Sequence, residues 1–300
     1  MQTYTGLDDL PRGTASHNIT DGLLVLEGGA WRGMYTQGAL DAMMEDDLNL
    51  SAVVGVSAGA LSGLSYVAGQ IGRSAHLNLH YRHDSNYFGR GALLRDHGPT
   101  GFSYLFGKMS EEWPLDEERF YDPSRRFVAV VTNIDTGEAE YFEKGKCSDI
   151  FRAIQASATV PYVSEAVEMD GKRYLDGGIC QKIPLDWALE QPEEKIILIR
   201  TRDRQYRKPL KATNRFAKLE YGRKYPNLMY DLYEEAEHYN ILIDRIDQLE
   251  QSGRLFVLAP SQPVTISRFE GDIEELGNLY WLGYNDAREA ASAMKEYLAK

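Results

Sequence analysis

A serine between glycines stands at Gly55-Val56-Ser57-Ala58-Gly59. The apolar run Ala52–Val56 precedes it, and the small-residue stretch 58–70 (AGALSGLSYVAGQ) follows. A strand that turns at once into a helix lifts the residue at the turn above the sheet, and the turn closes only if its flanking residues are small. The first N–H groups of a helix have no intrahelical acceptor, which puts the Ala58 N–H beside the Ser57 hydroxyl as a donor. A nucleophile next to a donor for a developing oxyanion is the start of acyl-transfer chemistry. A serine N-cap on an ordinary strand-to-helix turn leaves the same local pattern, so the assignment depends on what else the chain carries.

A second strand-to-helix junction reads Glu27-Gly28-Gly29-Ala30-Trp31-Arg32-Gly33. Glycines let successive backbone N–H groups turn inward and form a nest for an anion. Gly28, Gly29, Ala30, Arg32 and Gly33 are therefore candidates, with Ala58, for an oxyanion hole. The spacing is Gly-Gly-x-x-x-Gly, which is not the Gly-x-Gly-x-x-Gly of a dinucleotide loop. The Gly-Lys-Ser/Thr of a phosphate-cradling P-loop is absent. Arg32 has two readings here, a positive charge at the hole or on a lipid phosphate, and a structural ion pair.

The third piece is Tyr174-Leu175-Asp176-Gly177-Gly178. Asp-Gly-Gly alone is a common turn; beside the other two motifs, Asp176 becomes a candidate base. A glycine loop with Arg-Gly, a Gly-x-Ser-x-Gly and an Asp-Gly-Gly in this order resemble the patatin-like phospholipase family. The stretch Ala156-Ser157-Ala158-Thr159-Val160-Pro161 is similar to the family's Ala-Ser-x-x-x-Pro. The likeness covers roughly residues 22–200, and the combination is specific where each part is not. One departure is Ala30, where the family usually carries a third glycine; alanine keeps the N–H but narrows the allowed backbone.

The resemblance implies a three-layer α/β/α fold with a mainly parallel sheet. It also implies a Ser57–Asp176 dyad, supported by Gly55, Gly59, Gly177 and Gly178, that cleaves lipid esters through an acyl-enzyme without metal or cofactor. An aspartate of ordinary pKa, about 3.9, is a poor acceptor for a serine proton. Asp176 is therefore expected to be partly desolvated against Ser57, which raises its proton affinity. A Ser57–Asp176–His238 triad is formally possible in chain order, but His238 lies in a charged helical stretch (DLYEEAEHYNILIDR). His76, His80 and His83 have metal-like spacing without a His-Glu-x-x-His motif, and they are read as non-ligands. Two alternatives to hydrolysis use the same residues or fold: an acyltransferase passing the Ser57 acyl group to another alcohol, and a non-catalytic lipid-binding protein.

The elements that must position these residues follow from the apolar pattern. Leu23–Leu26, Ala52–Val56, Phe127–Val131 and Ile196–Ile199 are short apolar runs that read as buried strands. Helices are expected at 31–46, 58–70, 148–157, 226–251 and 272–299, with a further strand at Leu255–Leu258. Strand–helix–strand–helix in the first part of the chain signals a parallel sheet with crossover helices. Glu138–Phe142 is expected to pair with its neighbouring strand, and Val163–Met169 with Lys172–Leu175 as a hairpin about Asp170-Gly171. Residues 84–118, rich in glycine and aromatics, read as an irregular cap or long active-site loop. No linker divides the chain, so one domain over 1–300 is expected, with a helical extension from about 201.

The chain has 300 residues, 43% hydrophobic and 26% charged, the composition of an ordinary globular protein. Its net charge of −12 argues against nucleic acid as a partner. Two cysteines, Cys147 and Cys180, do not make a disulfide framework. The polar N-terminal residues lack the form of a secretory signal, and a cytoplasmic location is expected. Residues 200–224 concentrate ten Lys/Arg against two Asp/Glu. That segment faces either anionic headgroups at a membrane surface or acidic neighbours within the protein. The oligomeric state is not legible.

Overall fold

The computed structural model describes residues 2–209, 222 and 225–300. Its centre is a mixed, mostly parallel sheet. The strands in chain order are β1 (Thr20–Leu26), β2 (Leu50–Val56), β3 (Arg126–Asn133), β4 (Ala139–Glu143), β5 (Val167–Met169), β6 (Lys172–Asp176), β7 (Ile196–Ile199) and β8 (Phe256–Leu258). Their spatial order is β8-β7-β1-β2-β3-β6-β5, with β4 also on β3. The five strands β8, β7, β1, β2 and β3 run parallel, while β4, β5 and β6 pair antiparallel.

The long helices are α1 (Gly33–Glu45), α2 (Ala58–Val67), α3 (Arg73–Tyr81), α4 (Ile150–Ser157), α5 (Met229–Gln251) and α6 (Ile273–Ala299). Side chains alternate across a strand, and the core divides by that parity. Leu24, Leu26, Val53, Phe127 and Ile197 face one helical layer with α1, α2, α4 and α6. Leu23, Val25, Val54, Val128 and Leu198 face the other, which Tyr239, Ile243 and Ile246 of α5 join at helical spacing. Both faces of the parallel strands are covered, which is why these strands are apolar throughout rather than alternating. The result is the three-layer α/β/α arrangement.

The C-terminal helix is tied to the layer that carries the glycine loop. A Cβ on Gly38 of α1 would overlap the carbonyl oxygen of Tyr280, and one on Gly283 of α6 would overlap that of Tyr35. The two backbones cross in contact there. Tyr35 Oη donates to Asp286 Oδ2 at 3.1 Å, and Tyr280 Oη donates to Asp41 Oδ2 at 2.8 Å. No helix among the described residues is long and apolar enough to cross a membrane.

The cap is more regular than its sequence suggests. Between Arg90 and Phe120 run short helical segments at Arg90–Asp96, Phe102–Tyr104, Leu105–Met109, Ser110–Glu112 and Glu117–Phe120. Each is too short to show an apolar period, and their aromatic residues pack on one another and on α4, as Phe106 and Phe120 do on Phe151. The helix expected over 58–70 ends at Val67, because the chain reverses through Gly69 at φ +67° to form a two-residue ladder of Gln70–Ile71 with Gly13–Thr14. The hairpin strand expected from Val163 begins only at Val167; Val163 itself lines a cavity.

Candidate active site

Ser57 sits at the junction of β2 and α2 with φ +56° and ψ −121°. A serine held in that region is strained by roughly 1–3 kcal/mol, so the surroundings must over-determine it. A Cβ on Gly55 would lie 2.6 Å from Ala60 Cα, and one on Gly59 would lie 2.5 Å from the Leu26 carbonyl oxygen. Only glycine at both positions lets the turn close against α2 and β1. The Ser57 N–H donates to Ser157 Oγ at 2.8 Å, a buried contact from the last residue of α4. Asp149 starts that helix by accepting from the Arg152 N–H at 2.9 Å.

Asp176 reaches Ser57 through strand register. On one edge of β3, Val56 pairs with Val130 and Asp176 pairs with Val131. The parallel β2 and the antiparallel β6 thus meet end to end, bringing together residues far apart in the chain. Ser57 Oγ donates to Asp176 Oδ2 at 2.6 Å. The other carboxylate oxygen accepts the Gly178 N–H at 2.7 Å. The backbone of Asp176 is fixed as well: its N–H donates to the Thr159 carbonyl at 2.9 Å, and its carbonyl accepts from Thr132 Oγ1 at 2.9 Å. Gly177 must be glycine because a Cβ there would overlap the Val130 carbonyl oxygen.

Desolvation pushes the Asp176 carboxyl up to about 6, opposed by the hydrogen bonds from Ser57 and Gly178 and by the charges of Lys182 and Arg268. A carboxylate with that proton affinity is ionised at neutral pH and accepts a proton far more readily than an ordinary aspartate.

The glycine loop lies over Ser57, and its N–H groups fall into two sets. Gly28 donates to the Lys182 carbonyl at 3.2 Å and Arg32 to the Gly29 carbonyl at 3.2 Å. Gly33 donates to the carbonyls of Ala30 and Trp31. Those three backbone donors from the sequence-based set are used within the fold, Gly28 by Lys182 and the other two by the tight 3-10 turn Ala30–Arg32 into α1. The N–H groups of Gly29 and Ala30 have no acceptor among the described residues, and Ala58 is the first residue of α2. Ala30, at φ +50°, holds the left-handed conformation that favours glycine. Behind the loop, Glu27 is buried, accepting from the Thr201 N–H at 2.6 Å and from Tyr239 Oη at 2.8 Å.

Two cavities meet at Ser57. The narrower, about 110 Å³, is walled by Met34, Leu61, Leu77, Leu105, Phe106 and Phe151 among others, from α1, α2, α3, the cap and α4. The wider, about 420 Å³, is bounded by Gly28–Ala30, Val160–Val163 and Asp176, and carries Arg32, Lys182 and Arg268. Phe269 borders both.

Among the described residues that line the two cavities there is no histidine. His238 is exposed on α5, while its neighbour Tyr239 turns into the core. His76 is buried between Arg12 Nε, which donates to Nε2 at 2.8 Å, and the Gly72 carbonyl at 2.9 Å from Nδ1. The described part of the basic segment pairs inward: Arg204 with Glu250, and Arg207 with Asp244 and Asp247, all on α5. Positions 210–221, 223 and 224 of that segment lie outside the described residues. Sequence reading did not single out Ser157 as the partner of Ser57, although it lies in a noted motif. It missed Lys182, Arg268 and Phe269 altogether, because a loop residue with no periodic context carries no signal of what it faces.

A family model described as patatin-like phospholipase matches residues 24–189. A second, described as a domain of unknown function (DUF6363), matches 225–299. The uncharacterized protein YjjU of Escherichia coli is 28% identical over 183 residues, 59% of this chain and 51% of that protein. The probable lipid hydrolase 463L of Invertebrate iridescent virus 6 is 23% identical over 193 residues, 57% of this chain and 64% of that protein. An uncharacterized NTE family protein of Mycobacterium bovis is 26% identical over 182 residues, 58% of this chain and 46% of that protein. The chain thus spans about half to two thirds of the length of these relatives. Among solved structures, VipD from Legionella pneumophila aligns with a TM-score of 0.49 at 13% identity, covering 98% of this chain and 71% of that one.

Proposed function

The chain belongs to the patatin-like phospholipase family, and from that premise we propose that it is a lipid acyl hydrolase working through a Ser57–Asp176 dyad. The observation that carries this reading is the 2.6 Å hydrogen bond from Ser57 Oγ to Asp176 Oδ2. A base must lie within hydrogen-bond reach of the proton it takes, and Asp176 does so without an intervening histidine.

In the proposed cycle, Ser57 Oγ attacks the ester carbonyl as its proton passes to Asp176. The N–H groups of Gly29, Ala30 and Ala58 stabilise the tetrahedral oxyanion, each contributing about 3 kcal/mol to the transition state. The C–O bond to the alcohol breaks, the alcohol leaves with the proton from Asp176, and the acyl group stays on Ser57. Water then attacks the acyl-enzyme, giving its proton to Asp176; the bond from the acyl carbon to Ser57 Oγ breaks, Asp176 returns the proton to Ser57, and the acid departs. The narrower cavity takes the acyl chain along Met34, Leu61, Leu77, Leu105, Phe106 and Phe151, and the wider cavity takes the alcohol.

The test is hydrolysis of p-nitrophenyl esters from C2 to C16 by wild type, Ser57→Ala and Asp176→Asn. Activity that both substitutions abolish, with fluorophosphonate labelling of Ser57, is the expected result. Retention of activity in Asp176→Asn together with its loss in His238→Ala would replace the dyad with a triad.

A further inference from the structure

The glycine loop is held from outside the region that the patatin-like model matches. Gly29 and Ala30, whose N–H groups have no acceptor among the described residues, lie between Glu27 and Trp31. Both flanking residues are fastened to the C-terminal part of the chain. Tyr239 Oη of α5 donates to Glu27 Oε1 at 2.8 Å. Glu27 Oε2 accepts the Thr201 N–H at 2.6 Å and Thr201 Oγ1 at 3.2 Å. On the far side, the Trp31 N–H donates to the Arg268 carbonyl at 3.3 Å. The guanidinium carbon of Arg82 lies 4.5 Å from the centre of the Trp31 ring, and Arg82 Nε donates to the Glu270 carbonyl at 2.8 Å. Tyr239, Arg268 and Glu270 all belong to 225–299, the second matched region.

Glu27 is almost fully buried. A buried carboxyl group persists where its oxygens are hydrogen-bonded, and here the phenol of Tyr239 with the N–H and hydroxyl of Thr201 does that. Burial, and then the neighbouring Glu27, hold the Tyr239 phenol well above its ordinary range, so that hydroxyl stays a donor. Thr201 also packs on the loop: a Cβ on Gly29 would lie 2.8 Å from Thr201 Oγ1. Glycine widens the conformations open to a loop, whereas an oxyanion hole works only when its donors are in place before charge develops. Fastening on both sides of Gly29 and Ala30 meets that requirement.

We propose that Tyr239, acting through Glu27, is a positioning residue for the oxyanion donors, and that 225–299 is a working part of the active site rather than an appended module. This rests on the hydrolase reading above and adds a residue that acts through the loop rather than on the reacting atoms. Phe269, from the same region, borders both cavities, so the region supplies wall as well as clamp.

The experiment uses the full chain and compares wild type with Tyr239→Phe and with Ile243→Val, which trims a buried side chain one turn further along α5 and removes no polar atom. Tyr239→Phe is expected to lower kcat about tenfold with KM changed less than about twofold, and Ile243→Val to leave both within about twofold. An alkyl trifluoromethyl ketone reports on the hole: Ser57 Oγ adds to its carbonyl carbon, the Ser57 proton passes to Asp176, and the carbonyl oxygen becomes the oxyanion. Its inhibition constant should rise about tenfold in Tyr239→Phe, in step with kcat, while that of the corresponding methyl ketone stays unchanged. Hydrogen exchange reads the clamp without turnover. The hydrogen-bonded amides of Gly28, Trp31 and Arg32 should exchange about tenfold faster in Tyr239→Phe than in wild type, and at the wild-type rate in Ile243→Val. Unchanged kcat or unchanged loop exchange in Tyr239→Phe, or an equal loss of kcat in Ile243→Val, would overturn the assignment. Hydrolysis of no ester by wild type would instead count against the hydrolase reading, and the exchange comparison would then decide the clamp.

Discussion

Val56 and Asp176 meet end to end on one edge of β3, paired with the adjacent residues Val130 and Val131. Ser57, the proposed nucleophile, follows Val56 directly, so strand register sets Ser57 and Asp176 within hydrogen-bond distance. The fold thereby holds the hydrogen-bond donor in the turn that directly follows one strand and its acceptor at the end of another, which favours precise placement.

The pH dependence follows from the environment of Asp176. Its carboxyl is raised to about 6, mainly by desolvation, and only the ionised form accepts the Ser57 proton. We expect kcat/KM for a neutral ester to fall tenfold per pH unit below about 6 and to level above it. A limb near the ordinary aspartate value of about 3.9 would show that Asp176 is not the titrating base.

The same shift makes Asp176 costly to the folded state. Its pKa rises on folding from 3.8 to about 6, so the group's most favourable contribution lies below pH 3.8 and is lost as pH rises through 6. Asp176→Asn should therefore stabilise the protein at pH 8 by about 1–3 kcal/mol while abolishing turnover. Melting temperatures at pH 4 and pH 8 check it: the gain should appear at pH 8 and shrink at pH 4.

Ser157→Ala removes the acceptor of the buried Ser57 N–H. An unsatisfied buried donor costs about 1–3 kcal/mol, here at the strained residue of the turn. Chemical denaturation should register that loss, and kcat should fall more than KM rises, because the hydroxyl of Ser57 is left less well held. Ser157→Thr keeps an acceptor and should recover most of the activity.

Ala30 separates backbone geometry from donor chemistry. At φ +50°, Ala30→Gly relieves a left-handed alanine and keeps the N–H, so stability should change by less than about 1 kcal/mol and kcat by less than a few-fold. Ala30→Pro deletes the N–H and demands negative φ. Its kcat should drop about 100- to 1000-fold. Similar kcat in the two variants, with both folded by circular dichroism, would remove Ala30 from the oxyanion hole.

The sequence by itself determined the strand-to-helix turns that carry the candidate residues and most of the central sheet. Ser57 was legible because the glycines at 55 and 59 answer a local steric demand, and local demands are written in neighbouring residues. Buried parallel strands were legible because burial on both faces makes their residues uniformly apolar. Sequence could also nominate Gly28 and Gly33 for the oxyanion hole, but not foresee that their N–H groups are used by Lys182 and by the turn into α1. Tertiary structure alone decided the contact of Ser57 with Asp176, the support from Ser157, and the arrival of Arg268 and Phe269 at the cavities. Those depend on strand register and helix packing between distant segments, and neither leaves a periodic trace in the chain. The backbone contact of α1 with α6 was equally hidden, since a glycine in a helix shows where close approach is allowed but not what approaches.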